Sequence, residues 1–308
     1  MSKIKLTTII GVTAVALSAC GSGSSGTPVE KDNRQTNSGK TYPHWVPYRT
    51  EYYGAEGELT SCIRGDIDSE GYLLSTMSSN PPTDAEQPLL CSDSDQNTNF
   101  SEYTFNNDRS EFETNSLSTY DPNTSCQKVT LSSKNMPSRI ETFTSGTGNY
   151  SCSVQDGSLF SVQETTLENE LYDTLTILYA GAGLDNEWGT DDDVIQARYD
   201  STWTSDKLIK QTVNRLGAGT DSIWGTSDDY ISSVVDMVFK EDMIPDYSIT
   251  TYLGLDGVID TDDDLITTYT VFTYENGAIK NHTAYGSPGI DGNWETTSDN
   301  YKLYTVFY

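Results

Sequence analysis

The C-terminal half of the chain contains four copies of one pattern of about fifteen residues, and this pattern decides the fold. The first copy runs from Gly181 to Ile195 and reads GAGLDNEWGTDDDVI. The other three begin at Gly217 (GAGTDSIWGTSDDYI), Leu253 (LGLDGVIDTDDDLI) and Ser287 (SPGIDGNWETTSDNY). Their first aspartates follow one another at steps of 36, 35 and 35 residues. A fixed period in this range indicates stacked supersecondary units rather than a fold around a single reaction centre.

The segments between these acidic loops alternate in polarity and are rich in Val, Ile, Thr, Tyr and Phe, which predicts half-buried strands. Each full repeat has two such strands joined by a short polar or Gly-containing turn. The predicted strands are Val194–Trp203, Leu208–Leu216, Tyr230–Phe239, Tyr247–Leu253, Leu265–Tyr274, Ala278–Tyr285 and Tyr301–Tyr308. We therefore predict an all-β fold, an elongated antiparallel β-hairpin repeat array arranged as a meander.

The last predicted strand, which ends at Tyr308, allows two interpretations. Its aromatic end is typical of the last strand of an outer-membrane barrel, or it is the first strand of a truncated fifth hairpin. Lipid-facing strands need an apolar outer side, and the sequence carries charges and polar residues that we expect on both faces. We predict a truncated hairpin, whose unpaired edge would be open to strand addition.

One hairpin resembles a known repeat. The segment 272–279, FTYENGAI, resembles a YD repeat of Rhs-type bacterial surface proteins, in which Tyr-Asp, a turn glycine and an aliphatic residue recur. Tyr199-Asp200 and Tyr120-Asp121 resemble the start of the repeat, but neither has the turn glycine, and Glu275 replaces the aspartate. The resemblance implies a degenerate β-hairpin array and no catalytic function.

The N-terminus carries an export signal. Lys3 and Lys5 precede an apolar stretch that is too short to span a membrane as a helix. The stretch ends in Leu-Ser-Ala-Cys at Cys20, which resembles the lipobox of bacterial lipoproteins, while an ordinary secretory signal is the alternative. The resemblance implies that Cys20 becomes the lipidated first residue, and that Gly21 after it directs the protein to the outer membrane. The predicted organisation is a signal peptide at 1–19 and a lipidated flexible tether at 20–41.

Four further cysteines precede the clear repeats: Cys62, Cys91, Cys126 and Cys152. An even number in an exported chain predicts two disulfides, with three connectivities open. We predict a disulfide-braced β region at 42–160, followed by the hairpin repeats at 161–308. Both regions could also form one continuous β structure.

Composition limits the partners. The formal net charge is −28, and it becomes about −30 when Lys3 and Lys5 leave with the signal. Such a chain repels nucleic acid, so we predict no nucleic-acid partner, whereas divalent cations are attracted.

The acidic loops are candidate calcium sites, because Ca²⁺ prefers six to eight carboxylate and carbonyl oxygens. The alternative is that Asp and Thr simply bond to their own turns. The candidate ligands are Asp185, Thr190, Asp192, Asp193, Asp221, Thr226, Asp228, Asp229, Asp256, Thr261, Asp263, Asp264, Asp291 and Asp299.

Three loops place a tryptophan at the same position, namely Trp188, Trp224 and Trp294, and the remaining loop has Ile259 there. Exposed indoles could stack on sugars. Packing between neighbouring repeats is the alternative, and Ile259 favours it because an aliphatic residue fills a gap but stacks poorly on a sugar ring.

No nucleophile, zinc or phosphate-binding motif is present in the sequence. We predict a non-enzymatic lipoprotein with a structural, adhesive or partner-binding role in the cell envelope, anchored to the outer membrane and facing either the periplasm or the outside. The partner would be an envelope protein or a glycan. A carbohydrate-binding surface module is the alternative, and an envelope hydrolase is a third.

Overall fold

The structure is a computed structural model that describes residues 49–53, 58–68, 73–79, 97–118, 125–145, 152, 157–240, 244–254, 256–259, 261–275, 278–287, 294 and 300–307. All regular elements in these ranges are β-strands. They are β1 (Arg49–Tyr53), β2 (Leu59–Ile67), β3 (Leu73–Ser79), β4 (Asn97–Phe105), β5 (Glu111–Ser118), β6 (Ser125–Leu131), β7 (Pro137–Ser145), β8 (Gly157–Glu168), β9 (Tyr172–Gly181), β10 (Val194–Trp203), β11 (Ile209–Gly217), β12 (Tyr230–Phe239), β13 (Pro245–Tyr252), β14 (Leu265–Glu275), β15 (Ala278–Ser287) and β16 (Asn300–Phe307).

Each strand pairs antiparallel with the next one in sequence, so the all-β meander is confirmed. The meander closes into a barrel because β1 also pairs with β16, from Thr50 opposite Phe307 to Tyr53 opposite Tyr304. This closure was not predicted from the sequence. The interpretation of β16 as the open edge of a truncated hairpin is wrong, since β16 has β15 on one side and β1 on the other. A strand paired on both sides offers no edge for strand addition.

The predicted disulfide bracing of the N-terminal half is confirmed by the bond between Cys126 and Cys152. Cys126 packs there with Phe143 and Leu159. Cys62 is also disulfide-bonded, and Cys91 lies outside the described residues. The predicted border at residue 160 falls inside β8, so one sheet runs through both regions.

Bulges bend several strands, and a hydroxyl residue occupies five of them. At these positions one residue is skipped in the register, and its hydroxyl donates to a carbonyl oxygen of the neighbouring strand. These donors are Thr60, Ser138, Thr174, Ser232 and Thr267, at 2.9 to 3.4 Å from their acceptors. Ser and Thr thus supply a donor that stabilises the locally disrupted ladder.

The barrel has two different ends. Short turns join β2 to β3, β4 to β5 and each later even strand to its successor, and we call this the turn end. The other connections form the loop end, at 54–58, 80–96, 119–124, 146–156, 182–193, 218–229, 253–264 and 288–299. Since strands alternate in direction, β1 starts and β16 finishes at the turn end.

The part of the chain that the structure describes includes no helix long and apolar enough to cross a membrane.

Candidate functional site

The loop end concentrates negative charge. Its eight connecting segments hold about half of the chain's 46 Asp and Glu residues, and their sequence contains no Lys or Arg. The acidic repeats of the sequence analysis are therefore gathered at one end of the barrel.

The first two acidic loops fold alike. In 182–193, Asp192 accepts hydrogen bonds from the amide of Leu184 at 2.6 Å and from the hydroxyl of Thr190 at 2.8 Å. In 218–229, Asp228 accepts from the amide of Thr220 and from Thr226, both at 2.7 Å. The bond from Thr190 and those from the loop amides hold the pKa of Asp192 below its ordinary value.

Asp228 is affected in the same way, because bonds from Thr220 and Thr226 lower the pKa of its carboxyl. Both carboxylates therefore stay ionised well into acid conditions, and each organises its own loop.

The second pair of aspartates in these loops also bonds to backbone. Asp193 accepts from the amide of Gly189, and Asp229 accepts from the amide of Gly225, both at 2.7 Å. In the third loop, Asp264 accepts from the amides of Gly254 and Thr261 at 3.0 and 3.1 Å. These bonds are the turn-forming geometry that the sequence offered as the alternative to calcium.

Among the residues that the structure describes, the candidate calcium ligands do not form one tight group. Within the described ranges, the one trio of acidic, His or Cys ligand atoms lying within 4.8 Å of one another is Glu113, Cys126 and Cys152, whose two cysteines form the disulfide. Asp291 and Asp299 lie outside the described residues. Calcium binding stays a prediction.

Two arginines of the strands hold the second acidic loop in place. Arg198 donates to the carbonyl of Trp224 at 3.2 Å and pairs with Asp200 at 2.8 Å. Arg215 donates to the carbonyl of Thr226 and lies 3.3 Å from the Asp229 carboxylate, whose side chain is fully buried. Loop 218–229 is thus tied to β10 and β11.

Asp200 joins the two arginines, since Arg215 also donates to it at 2.8 Å. Burial alone would raise the pKa of Asp200, but the hydrogen bonds and charges of Arg198 and Arg215 hold that pKa below its ordinary value. The carboxylate therefore stays charged between two guanidinium groups.

The loop tryptophans are half-buried, as is Ile259, which takes the same place in the third loop. The ring of Trp294 lies 5.4 Å from that of Tyr269. This burial favours the packing interpretation over an exposed row of stacking platforms.

The two faces of the sheet differ in exposure and in charge. On β4, Glu102 and Thr104 are exposed, while Ser101, Tyr103 and Phe105 between them are half-buried. The same alternation recurs on β11, where Ile209 and Gln211 are exposed and Lys210 and Thr212 are half-buried. Because the concave side of a closed sheet crowds its side chains, we assign the face that is less exposed on β4 and β11 as the inner face. Cys62, Ser79 and Val162 on the opposite face are buried as well.

The outer face carries the charged residues of the strands. In register on it are Glu51, Arg64, Asp66, Glu102, Glu111, Glu113, Lys128, Arg139, Glu141, Glu164, Arg198, Asp200, Arg215 and Asp236. Several form ion pairs, for example Arg139 with Glu141 at 3.0 Å and Lys128 with Glu111 at 3.5 Å. Most charges of the described strands therefore lie on one face of the sheet.

The inner face is lined by hydroxyl, amide and aromatic side chains, and around Phe112, Val129 and Ile140 it forms a buried apolar cluster. Among its described residues that pair in register, the charged ones are Asp173 and Lys210, and they pair with each other at 2.6 Å. Side chains of neighbouring strands form a hydroxyl ladder. Its bonds join Ser101 to Ser116 (2.8 Å), Gln127 to Thr142 (3.4 Å), Thr165 to Thr176 (3.1 Å), Ser201 to Thr212 (3.0 Å) and Asn214 to Ser233 (2.7 Å).

Burial shifts the titration of the inner-face rings. It raises the pKa of the Tyr52, Tyr103 and Tyr199 phenols. It also lowers the pKa of His282 to about 4, and the His282 ring lies 5.8 Å from that of Phe272. These groups are neutral at pH 7, which completes an uncharged lining.

The difference between the two faces was not predicted from the sequence, although the spacing of the charged residues indicates it. Charged residues two positions apart, as in Arg139-Ile140-Glu141, Arg198-Tyr199-Asp200 and Glu111-Phe112-Glu113, must share one face of a strand. A search for charged residues at a spacing of two would have predicted that one face of the sheet is charged and the other is not.

Comparisons with known proteins add little. No family model matches the chain, and no curated protein matches it. A crystal structure of a porin-like protein from Bacteroides uniformis ATCC 8492 is 8% identical, covering 87% of this chain and 99% of that chain at a TM-score of 0.48. A protein with unknown function from Bacteroides fragilis NCTC 9343 is 10% identical, covering 46% and 94% of the two chains at a TM-score of 0.31. Both similarities are too low to carry function to this chain.

Proposed function

We propose that this chain is a non-enzymatic lipoprotein of the outer membrane that holds a β-barrel at the membrane surface and presents its acidic loops to a partner. The observation that carries the proposal is the polarity of the barrel. The chain enters β1 at the turn end, and the acidic loops lie at the opposite end. A lipid on Cys20 would attach the turn end to the membrane and direct the loops away from it.

The charge pattern supports an anchored barrel over an inserted one. Ion pairs such as Arg139 with Glu141 lie on the outer face. A charged side chain facing lipid at the bilayer midplane costs about 2–4 kcal/mol, and the outer face has many. The barrel proposed here stays in water and depends on acyl chains for attachment.

The anchor is tested by replacing Cys20 with Ala. The wild-type chain should incorporate labelled palmitate and sediment with the outer membrane. The Cys20→Ala variant should do neither while keeping its barrel, as judged by circular dichroism. A variant that remains in the outer membrane contradicts the lipid anchor.

The orientation is tested separately. Lys134 in the turn between β6 and β7 and Ser227 in the second acidic loop are both exposed. A fluorophore on Lys134→Cys should be quenched by spin-labelled lipid in vesicles that carry the anchored protein, and one on Ser227→Cys should not. The reverse order contradicts the proposed display.

Calcium is proposed as an ion that stiffens the loops. Millimolar Ca²⁺ should raise the melting midpoint, and EDTA should reverse the rise. If neither addition moves the midpoint, calcium is removed from the proposal while the anchor and the orientation remain.

A further inference from the structure

We propose that the inner face of the barrel binds an uncharged, polyhydroxylated ligand, a neutral oligosaccharide. The proposal rests on the lining of the barrel and is independent of the lipid anchor.

The number of strands makes the barrel wide enough to hold a ligand. Barrels of 16 to 18 strands leave an aqueous channel, whereas an eight-stranded barrel is filled by its own side chains. This barrel has sixteen strands. Ser101, Ser201 and Thr212 on the inner face keep part of their surface exposed. Phe112, Val129 and Ile140 on the same face instead form a buried apolar cluster, against which Tyr103 packs. The room for a ligand therefore lies along the hydroxyl-lined part of the inner face, outside this cluster.

The inner face carries little charge. The chain has a formal charge of −28, yet the inner face carries one described cation in register, Lys210, which is paired with Asp173. Among the described in-register residues of this lining, a phosphate or carboxylate ligand would meet no cation other than the paired Lys210, and the acidic loop end would repel it. The lining therefore selects for a ligand without charge.

The third argument is hydrogen-bonding capacity. In a pair such as Thr165 and Thr176, one hydroxyl donates to the other, and the second hydroxyl keeps its own hydrogen and both residues keep free lone pairs. A ladder of such pairs offers donors and acceptors side by side, as the hydroxyls of a sugar require. A lipid tail would leave these groups unsatisfied.

The fourth argument is the placement of aromatic rings. Tyr199 lies in register between Thr176 and Asn214, so a phenol stands within the hydroxyl ladder. Its pKa is raised by burial, so the group remains a hydrogen-bond donor at neutral pH. A ring with a polar edge suits the mixed apolar and hydroxyl faces of a pyranose.

The test measures binding of the purified full chain by calorimetry at 0.15 M salt. The probes are maltohexaose, cellohexaose and mannohexaose, with hexagalacturonate and the chitosan hexamer as charged comparators. At least one neutral hexasaccharide should bind with an affinity unchanged between 0.05 and 0.5 M salt. Hexagalacturonate should bind at least tenfold more weakly, and any binding of the chitosan hexamer should disappear at high salt.

The variants locate the site. Thr212→Val keeps shape and removes one ladder hydroxyl, and Tyr199→Phe removes the phenol; each should weaken the neutral ligand by about two- to tenfold. Thr202→Val, at an exposed position on the outer face of β10, is the matched control and should bind as wild type. Circular dichroism confirms that each variant is folded.

Three results overturn the proposal. The first is no binding of any neutral hexasaccharide, and the second is equal binding of hexagalacturonate. The third is binding that survives Thr212→Val and Tyr199→Phe but is lost in Trp188→Ala or Trp224→Ala, because the ligand would then sit on the loops.

Discussion

The two faces of this barrel are built from the same strands, yet they follow different rules. The outer face balances a surplus of charge by pairing it, as with Arg198, Asp200 and Arg215. The inner face contains few charges and satisfies its polar groups through neutral pairs such as Ser101 with Ser116. A strand with alternating side chains can thus present two chemistries at once, and each face should respond differently to the same substitution.

The largest difference should come from adding one carboxylate to each face. Thr114 is buried on the inner face of β5, and Thr104 is exposed on the outer face of β4. Thr114→Asp should cost about 3 kcal/mol or more, because the new charge lacks a partner. Thr104→Asp should stay within about 0.5 kcal/mol. Urea unfolding followed by tryptophan fluorescence gives both values, and equal costs would mean that the faces do not differ.

Removing a cation from the outer face should depend on how deeply its partner is buried. Arg215→Met leaves the fully buried Asp229 carboxylate without this guanidinium and should cost about 3 kcal/mol. Lys128→Met, which removes the partner of the more exposed Glu111, should cost under about 1 kcal/mol. Thermal melts of the two variants measure the contrast. A cost for Lys128→Met as large as that for Arg215→Met would contradict it.

Acid should test the inner face through His282. Its pKa is about 4 in the folded barrel and 6.5 as the ordinary value. Between these values the unfolded chain binds the proton and the folded chain does not, so stability falls as the pH drops from 6.5 towards 4. The loss should be about 3 kcal/mol, since one pKa unit corresponds to about 1.4 kcal/mol.

His282→Gln isolates this contribution, since it leaves all carboxylates in place. The difference in unfolding free energy between the wild type and His282→Gln should change between pH 6.5 and 4 and be level above pH 7. A difference that is constant over the whole range would show that His282 does not titrate abnormally.

The smallest effect concerns the way the outer face holds its loops. Gly189 and Gly225 occupy equivalent places in the first two acidic loops, with φ of 91° and 93°. Alanine at either place should cost about 1 kcal/mol for the left-handed backbone. At Gly225 the new Cβ would also lie 3.0 Å from the Arg198 guanidinium, while at Gly189 it meets nothing within 4 Å. Gly225→Ala should therefore melt lower than Gly189→Ala, and equal midpoints would show that Arg198 yields without cost.

Local pattern predicted much of this fold. The strands at Val194–Trp203 and Tyr230–Phe239 have the predicted bounds, because a period of two and β-branched residues specify a strand within a few neighbours. Closure could not be predicted in this way, since Thr50 and Phe307 pair across almost the whole chain and neither sequence contains a signal for the other. The hydroxyl ladder could not be predicted for the same reason. Its members, such as Asn214 and Ser233, come into contact only once the register of the neighbouring strands is known.

The barrel closes only when the first and last strands, β1 and β16, pair with each other. Every other pair of described strands is adjacent in sequence and can form locally, whereas the pairing of β1 with β16 requires residues 300–307. A chain truncated before β16 would present two bare edges, on β1 and β15, and such edges invite aggregation. The eight-residue strand β16 is therefore needed to keep the edges of β1 and β15 paired, and its loss should make the barrel prone to aggregation.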